Sequence, residues 1–392
     1  MRTPYERVRQ MLYLDNSATT KPDPAVLESY IKVTEQYYGN PSSLHGMGET
    51  AAQLVEMARK SAALYLNGSG KVIFTSGGTE SNNLAIKGFA QSLRSRGNHL
   101  ITTNIEHPSV LEVFRHLEKE GFAVTYLPVD ERGVISIDQL RSALKKETIL
   151  VSIMHVNNEI GSVQPIEEAG RVIKNHSRAM FHVDAVQSFG KLPIDPDKAG
   201  IDALSLSAHK FHGLKGTGLL YLNTDQQVVS QMLGGSQEFG LRSGTVHTAG
   251  AVALAKAMRL ASEQLEEHRK HLIEGRDLLR NFFETREEAE VVSANDQAPH
   301  ILAVSVPLLK GEVVVHALEK MGVYLSTSSA CSSRITKKSH VLKALGLSDD
   351  VIKGAFRISL SPDVSLNDLE EFKKIWEEVI PPLLEGVKRN ER

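Results

Sequence analysis

The chain's one cysteine, Cys331, lies in the run Ser326-Thr327-Ser328-Ser329-Ala330-Cys331-Ser332-Ser333. A lone thiol excludes an internal disulfide and any zinc or iron–sulfur site that needs two thiolates from this chain, and no metal is expected in the site. Free cysteines are usually buried and inert, whereas a nucleophilic thiol must be exposed and mobile. The small polar neighbours suit the second state, and this run alone leaves both open. Four further clusters could hold a ligand or carry chemistry. Ser76-Gly77-Gly78-Thr79-Glu80 lies between a strand pattern and a helix pattern. Its glycines permit a sharp turn and close backbone approach, and a helix start offers free N–H groups to a phosphate. A plain strand-to-helix turn would use the same residues. His182-Val183-Asp184-Ala185-Val186-Gln187 ends another strand. A buried Asp184 is costly unless a cation pairs with it, although an Asp there also serves as a cap. In Ser205-Leu206-Ser207-Ala208-His209-Lys210-Phe211-His212-Gly213 an apolar stretch delivers Ser207, His209 and Lys210 to a glycine bend. A lysine there can form a Schiff base if its ammonium is destabilised, while most lysines are solvated surface charges. Glu106-His107-Pro108-Ser109 and Asn157-Asn158-Glu159-Ile160-Gly161 follow two more strands. His107 is either a loop residue before a helix opened by Pro108 or a ring stacked on a flat cofactor. The amides near Asn158 suit a ligand's oxygens.

A phosphate cradle, a strand-end carboxylate and a lysine, in that order, fit pyridoxal 5'-phosphate. The Asp would keep the pyridinium nitrogen charged and the lysine would hold the aldehyde. The elements that must position these groups are legible between about Lys71 and Leu222, where β-branched runs alternate with amphipathic stretches. Strands are expected over Val72–Thr75, His99–Thr103, Ala123–Leu127, Ile149–His155 and Met180–Val183. Helices are expected over Leu84–Leu93, Pro108–Glu120, Ile137–Lys146 and Ile166–His176. Such alternation gives a mostly parallel sheet covered on both faces, which binds ligands beyond the carboxyl ends of its strands. After Gly244 the pattern becomes α+β. A long helical stretch is expected from about Ala249 to Thr285, strands near Ile301–Val306 and Phe356–Leu360, a helix near Glu312–Met321, and a closing helix over Leu366–Val387. Pro381-Pro382 is expected to kink or end that helix.

The bulk properties limit the alternatives. A length of 392 residues with 41% hydrophobic content supports two domains. With 45 basic and 47 acidic residues the formal charge is −2, which argues against a protein built to hold nucleic acid. No apolar run is long enough to span a bilayer, and Met1 to Gln10 lack a secretory pattern. A soluble, cytoplasmic protein is expected, without low-complexity segments or short repeats.

Read together, the motifs resemble those of cysteine desulfurases. The resemblance covers nearly the whole chain in order: Leu14-Asp15-Asn16-Ser17-Ala18-Thr19-Thr20, Gly39-Asn40-Pro41-Ser42-Ser43, Thr75-Ser76-Gly77-Gly78-Thr79-Glu80-Ser81, Glu106-His107-Pro108, Asn157-Asn158-Glu159-Ile160-Gly161, Asp184-Ala185-Val186-Gln187, Ser207-Ala208-His209-Lys210 and Arg242-Ser243-Gly244-Thr245. The cysteine run resembles the longer-loop branch of that family, the bacterial iron–sulfur-cluster and nitrogen-fixation type (group I), within the class-V aminotransferases. The resemblance implies fold-type I of the pyridoxal-phosphate enzymes and a homodimer. In that fold a large domain (15–260) carries a mostly parallel seven-stranded sheet. A smaller α+β domain (1–14 and 261–392) carries the cysteine loop.

By matching position, the resemblance assigns Lys210 as the Schiff-base lysine and proton shuttle. It places Asp184 on the pyridine nitrogen, His107 on the ring, Gln187 on the phenolic oxygen, and Asn158 on cofactor or substrate. Gly78, Thr79, Ser207 and His209 would hold the phosphate, and Thr245 would reach the neighbouring subunit's phosphate. Arg357 would clamp the substrate carboxylate, as a guanidinium fork can. Cys331 would attack the sulfur of L-cysteine, become a persulfide and release L-alanine, with His107 helping to move protons. The sulfur would then pass to an acceptor protein by displacement. A selenocysteine lyase or a transaminase of the same fold is the chemical alternative, and transamination needs no thiol. Some positions depart from the family pattern: His212 and Leu214 after the lysine, Phe239 before Gly240, no arginines in Asn223-Thr224-Asp225-Gln226-Gln227, and a tail ending soon after Lys388. These favour a dedicated acceptor, such as a sulfurtransferase for tRNA thiolation, over a general iron–sulfur scaffold. Met11 is a candidate natural start.

Overall fold

The computed structural model describes residues 11–223, 225, 227–327 and 339–390, the side chains of 388–390 excepted. Cys331 and its flanks lie outside the described residues. The chain divides into two compact units, one comprising Thr19–Asn157 and Val163–Leu265, the other Met1–Ala18, Asn158–Ser162 and Glu266–Arg392.

The first unit is built on a seven-stranded sheet. Its spatial order is Lys71–Thr75, Gly218–Leu222, Ala203–Ser207, Met180–Asp184, Thr148–Met154, His99–Thr103, Ala123–Leu127. Neighbours run parallel except Gly218–Leu222, which is antiparallel to the strands on either side of it. Alternate residues along the strands face opposite cores. Val72 and Phe74 face one core with Val151, Val183 and Leu204, while Ile73 faces the other with Leu100, Ile149 and Leu220. Helices Gly78–Ser92 and Pro108–Lys119 cover the second face, and Ile166–His176 and Thr248–Glu263 pack on the first. The mostly parallel sheet is the one expected from the alternating pattern, and the architecture is the fold-type I that the resemblance implies.

The second unit has an antiparallel sheet in the order Ser326–Thr327, Ala355–Ser359, Ile301–Ser305, Glu290–Val291. Leu12–Tyr13 pairs in parallel with Val323–Tyr324. The core is aromatic: Phe283 meets Trp376 edge-on at 4.8 Å and both are fully buried. Among the described residues no helix is long and apolar enough to cross a membrane.

Three expectations need correction. The helix after the glycine turn begins at Gly78, not Leu84. Its first turn is polar and has no apolar periodicity, but Glu80 suits a helix start, where acidic groups meet the positive dipole end. The helical stretch expected from about Ala249 to Thr285 resolves into two helices, Thr248–Glu263 and Leu265–Glu284, interrupted at Gln264. Leu254 and Met258 belong to one core and Leu272 and Leu279 to another, so one straight rod does not serve both. The closing helix runs from Leu366 to Asn390 through Pro381 and Pro382. Each proline removes a donor for the carbonyl four residues back. Those carbonyls belong to Glu377 and Glu378, which are exposed to water, while buried Ile380 and Leu384 anchor the apolar face on either side.

Candidate active site

At the carboxyl ends of the parallel strands, the first unit assembles most of the clusters singled out above. Gly77 caps the Gly78–Ser92 helix with φ at 153°, a conformation open to glycine. Contacts at Gly78 and Gly218 leave no room for side chains. A Cβ at Gly78 would come within 2.7 Å of Val186 Cγ2, and one at Gly218 within 2.5 Å of the Gly77 Cα. A Cβ at Gly77 would lie 3.4 Å from Ser207 Oγ. The glycine turn therefore lies against the segments that carry Asp184 and Ser207. Glu80 accepts a hydrogen bond from the Ser76 N–H at 2.8 Å and an ion pair from Arg242 at 2.8 Å. Burial opposes its ionisation, but those partners hold its carboxyl below the ordinary value. Ser76, Gly218, Arg242 and exposed Thr245 line a cavity of 270 Å³.

Asp184 ends its strand with 5% of its surface exposed. Its Oδ2 accepts from Asn82 Nδ2 at 2.8 Å and its Oδ1 from the Val186 N–H at 3.0 Å. Among the described residues no cationic side chain pairs with it. Gln187, three residues on, is buried as well. His107 caps the Pro108–Lys119 helix, and its Nδ1 accepts from the Ser109 N–H at 3.1 Å. Glu106 is fully buried, accepting from the Met154 N–H at 2.9 Å and from Thr103 Oγ1 at 2.8 Å. Burial, reinforced by Asp184, pushes its carboxyl up to about 8.

Lys210 closes a short 3-10 turn, Ala208–Lys210, directly after a fully buried strand. Thr20 braces this turn, donating from N and Oγ1 to the His209 carbonyl at 2.8 and 3.0 Å. His209 Nδ1 meets Thr19 Oγ1 at 3.1 Å. Burial, with Lys210, Lys215 and Lys191 nearby, brings the His209 imidazole down to about 4. Lys191 is buried, and its Nζ donates to the Lys210 carbonyl. Burial first, then Lys210, lowers the Lys191 ammonium to about 7.

Sequence reasoning passed over Asn82, Ser109 and Lys191, and gave Thr19 and Thr20 no role. The available signals were Asn82 in the first turns after the glycines and Lys191 among apolar residues.

Asn158 and Arg357 belong to the second unit. Arg357, 3% exposed, donates from Nη1 to the Asn158 carbonyl and from Nη2 to Asp15 Oδ1, each at 2.8 Å. Its Nε has no partner among the described residues, so the fork keeps donors for an anion. Glu159 accepts from Ser339 Oγ at 2.5 Å, and burial pushes its carboxyl up to about 7.

The donor set fits pyridoxal phosphate. A helix that starts at Gly78 on a glycine turn offers free N–H groups that suit a phosphate, and a buried carboxylate without a countercharge suits a protonated ring nitrogen. Lys210 carries the amine that such a group would need.

Comparison with known proteins agrees. A family model described as "Aminotransferase class-V" matches residues 12–372. Cysteine desulfurase IscS of Methanosarcina thermophila is 41% identical over 377 residues, 95% of this chain and 92% of that protein. A solved structure described as a NifS-like protein is 39% identical with a TM-score of 0.89, covering 94% of this chain and 99% of that one. A structure of SspA in complex with cysteine is 37% identical with a TM-score of 0.80, covering 90% and 99%.

Proposed function

The chain belongs to the class-V aminotransferase family, among its cysteine desulfurases, and from that premise we propose that it moves sulfur from L-cysteine to the thiol of Cys331. The Cβ–S bond of L-cysteine breaks and an S–S bond forms on Cys331. The products are L-alanine and an enzyme persulfide, so no outside oxidant or reductant is needed. The observation that best supports this reading is Asp184, a buried strand-end carboxylate with no cationic partner among the described residues, set against a glycine cradle.

Pyridoxal phosphate, when bound, supplies an electron sink for bonds at the substrate Cα. The chain's own residues bind, orient and move protons. Gly78, Thr79, Ser207 and His209 hold the phosphate, joined by Thr245 of a second subunit in a homodimer. Asp184 retains the proton on the ring nitrogen and Gln187 donates to the phenolic oxygen. His107 packs on the ring and exchanges protons with the thiols. Lys210 Nζ takes the Cα proton of L-cysteine, a role supported by the lowering of the neighbouring Lys191 ammonium, by burial first and then by Lys210. Arg357, with Asn158, takes the substrate carboxylate on its spare donors.

The persulfide sulfur then passes to a thiol of an acceptor protein. The arginine-free stretch 223–227 favours a dedicated acceptor, such as a sulfurtransferase for tRNA thiolation, over an iron–sulfur scaffold. A thiol that must stay reduced between turnovers fits the cytoplasm.

The test is release of sulfide and alanine from L-cysteine by wild type and Cys331→Ser. The variant is expected to bind cofactor and L-cysteine yet release almost no sulfide. Equal sulfide from both proteins rejects the role given to Cys331.

A further inference from the structure

Asn82 bonds Asp184 directly and is linked through Ser109 to His107, the two groups that the preceding reading sets against the cofactor ring. It is 1% exposed, on the second turn of the helix that starts at Gly78. Its Nδ2 lies 2.8 Å from Asp184 Oδ2 and 2.9 Å from Ser109 Oγ. A carboxylate only accepts, so the group facing Asp184 must be the NH2, and its two hydrogens divide between the carboxylate and the serine. Ser109 Oγ lies 2.8 Å from His107 Nδ1, and the Ser109 N–H points at the same nitrogen. The serine oxygen receives the amide hydrogen, which leaves its own proton for Nδ1. Two donors on Nδ1 make that nitrogen an acceptor, so the neutral imidazole carries its hydrogen on Nε2.

The other end of the amide points to the same arrangement. Asn82 Oδ1 is buried and has no hydrogen-bond partner among the described residues. Buried polar atoms are normally satisfied, and an exception calls for a reason. Here both donors are committed and the acceptor is sacrificed. An asparagine that only tied the helices Gly78–Ser92 and Pro108–Lys119 together would need no carboxylate at one end of its reach.

We propose that Asn82 is a positioning residue that orients the Asp184 carboxylate with one hydrogen and, through Ser109, fixes His107 as its Nε2–H tautomer with the other. A single side chain thereby sets both the acid on the ring nitrogen and the imidazole on the ring face. The inference rests on the reading that Asp184 and His107 serve pyridoxal phosphate.

The test is the 15N spectrum of the histidine-labelled holoenzyme, with His107 assigned by His107→Gln. Wild type is expected to show an unprotonated, hydrogen-bonded Nδ1 and a protonated Nε2. In Asn82→Ala and in Ser109→Ala the Nδ1 frequency moves toward that of an unbonded nitrogen. In Asn82→Ala alone the cofactor also dissociates about tenfold faster, as loss of one hydrogen bond to a charged group would give. A wild-type hydrogen on Nδ1 overturns the proposal, as does an Nδ1 signal unmoved in Ser109→Ala. The latter stands even if Asn82→Ala does not fold. An Asn82→Ala holoenzyme with the wild-type spectrum and cofactor retention overturns it equally. The nitrogen spectrum is read without turnover, so a protein that released no sulfide would reject the proposed activity and leave this inference decided separately.

Discussion

His182 and Asp184 stand two residues apart on one strand and so face the same side of the sheet, yet their surroundings have opposite logic. His182 lies between neighbouring strands. Its Nδ1 meets Ser152 Oγ at 2.8 Å and its Nε2 meets Ser205 Oγ at 2.9 Å. Both nitrogens are satisfied by neutral hydroxyls, and burial drives the imidazole down to about 3, so it stays uncharged. Asp184, at the strand end, has donors but no cation among the described residues. A closed polar network belongs to the architecture of the sheet. A network left short of charge asks for a ligand to complete it.

Substitutions should separate the two. The largest effect falls on Asp184. Asp184→Asn keeps the shape and removes the charge, and turnover is expected to fall about a hundredfold, the scale for losing a preorganised electrostatic partner. Its denaturant midpoint should change little, because loss of a buried charge without a countercharge is offset by the new NH2 facing the donor of Asn82 or Val186. A lower midpoint with full activity would erase the contrast. His182→Ala should do the reverse. It leaves two buried hydroxyls unpaired beside a void and should cost about 3 kcal/mol in denaturant unfolding, while cofactor retention per folded molecule is kept.

At Glu106 the expected effect is a change of slope with pH. Its folded-state carboxyl titrates near 8 against an unfolded value near 4.5. Between those values the native state holds a proton that the unfolded chain has released, so stability falls as pH rises across the window. Glu106→Gln copies the protonated form. It should match wild type near pH 4.5 and exceed it at pH 8, with urea midpoints as the readout. His182 contributes with opposite sign. Its native imidazole titrates near 3 against 6.5 unfolded, so its share is lost as pH falls below 6.5. Parallel pH curves for wild type and Glu106→Gln would show that Glu106 ionises freely.

The scaffold was more legible in the sequence than the wiring of the site. Strands such as Thr148–Met154 show as apolar runs because both faces are covered, and the glycine turn and Lys210 announce themselves by composition. Local pattern carries that information. Asn82 and Asp184 are 102 residues apart and Asn82 and Ser109 are 27 apart, so no window of sequence contains their geometry. The break at Gln264 was hidden for a related reason. Leu, Ala and Glu favour helix on both sides of it, and only the existence of two cores separates the segments. The prolines at 381 and 382 mislead in the other direction, since local propensity gives way to buried anchors at Ile380 and Leu384.

The brace of Thr19 and Thr20 on the lysine turn also bears on how the enzyme matures. It joins positions 189 residues apart in the chain, a separation that ranks among the slow steps of folding. Until that long excursion closes, the amine has no fixed address. Capture of the vitamin-derived coenzyme should therefore trail collapse of the sheet, and a nascent chain still short of Lys210 can have formed most of its strands while remaining colourless.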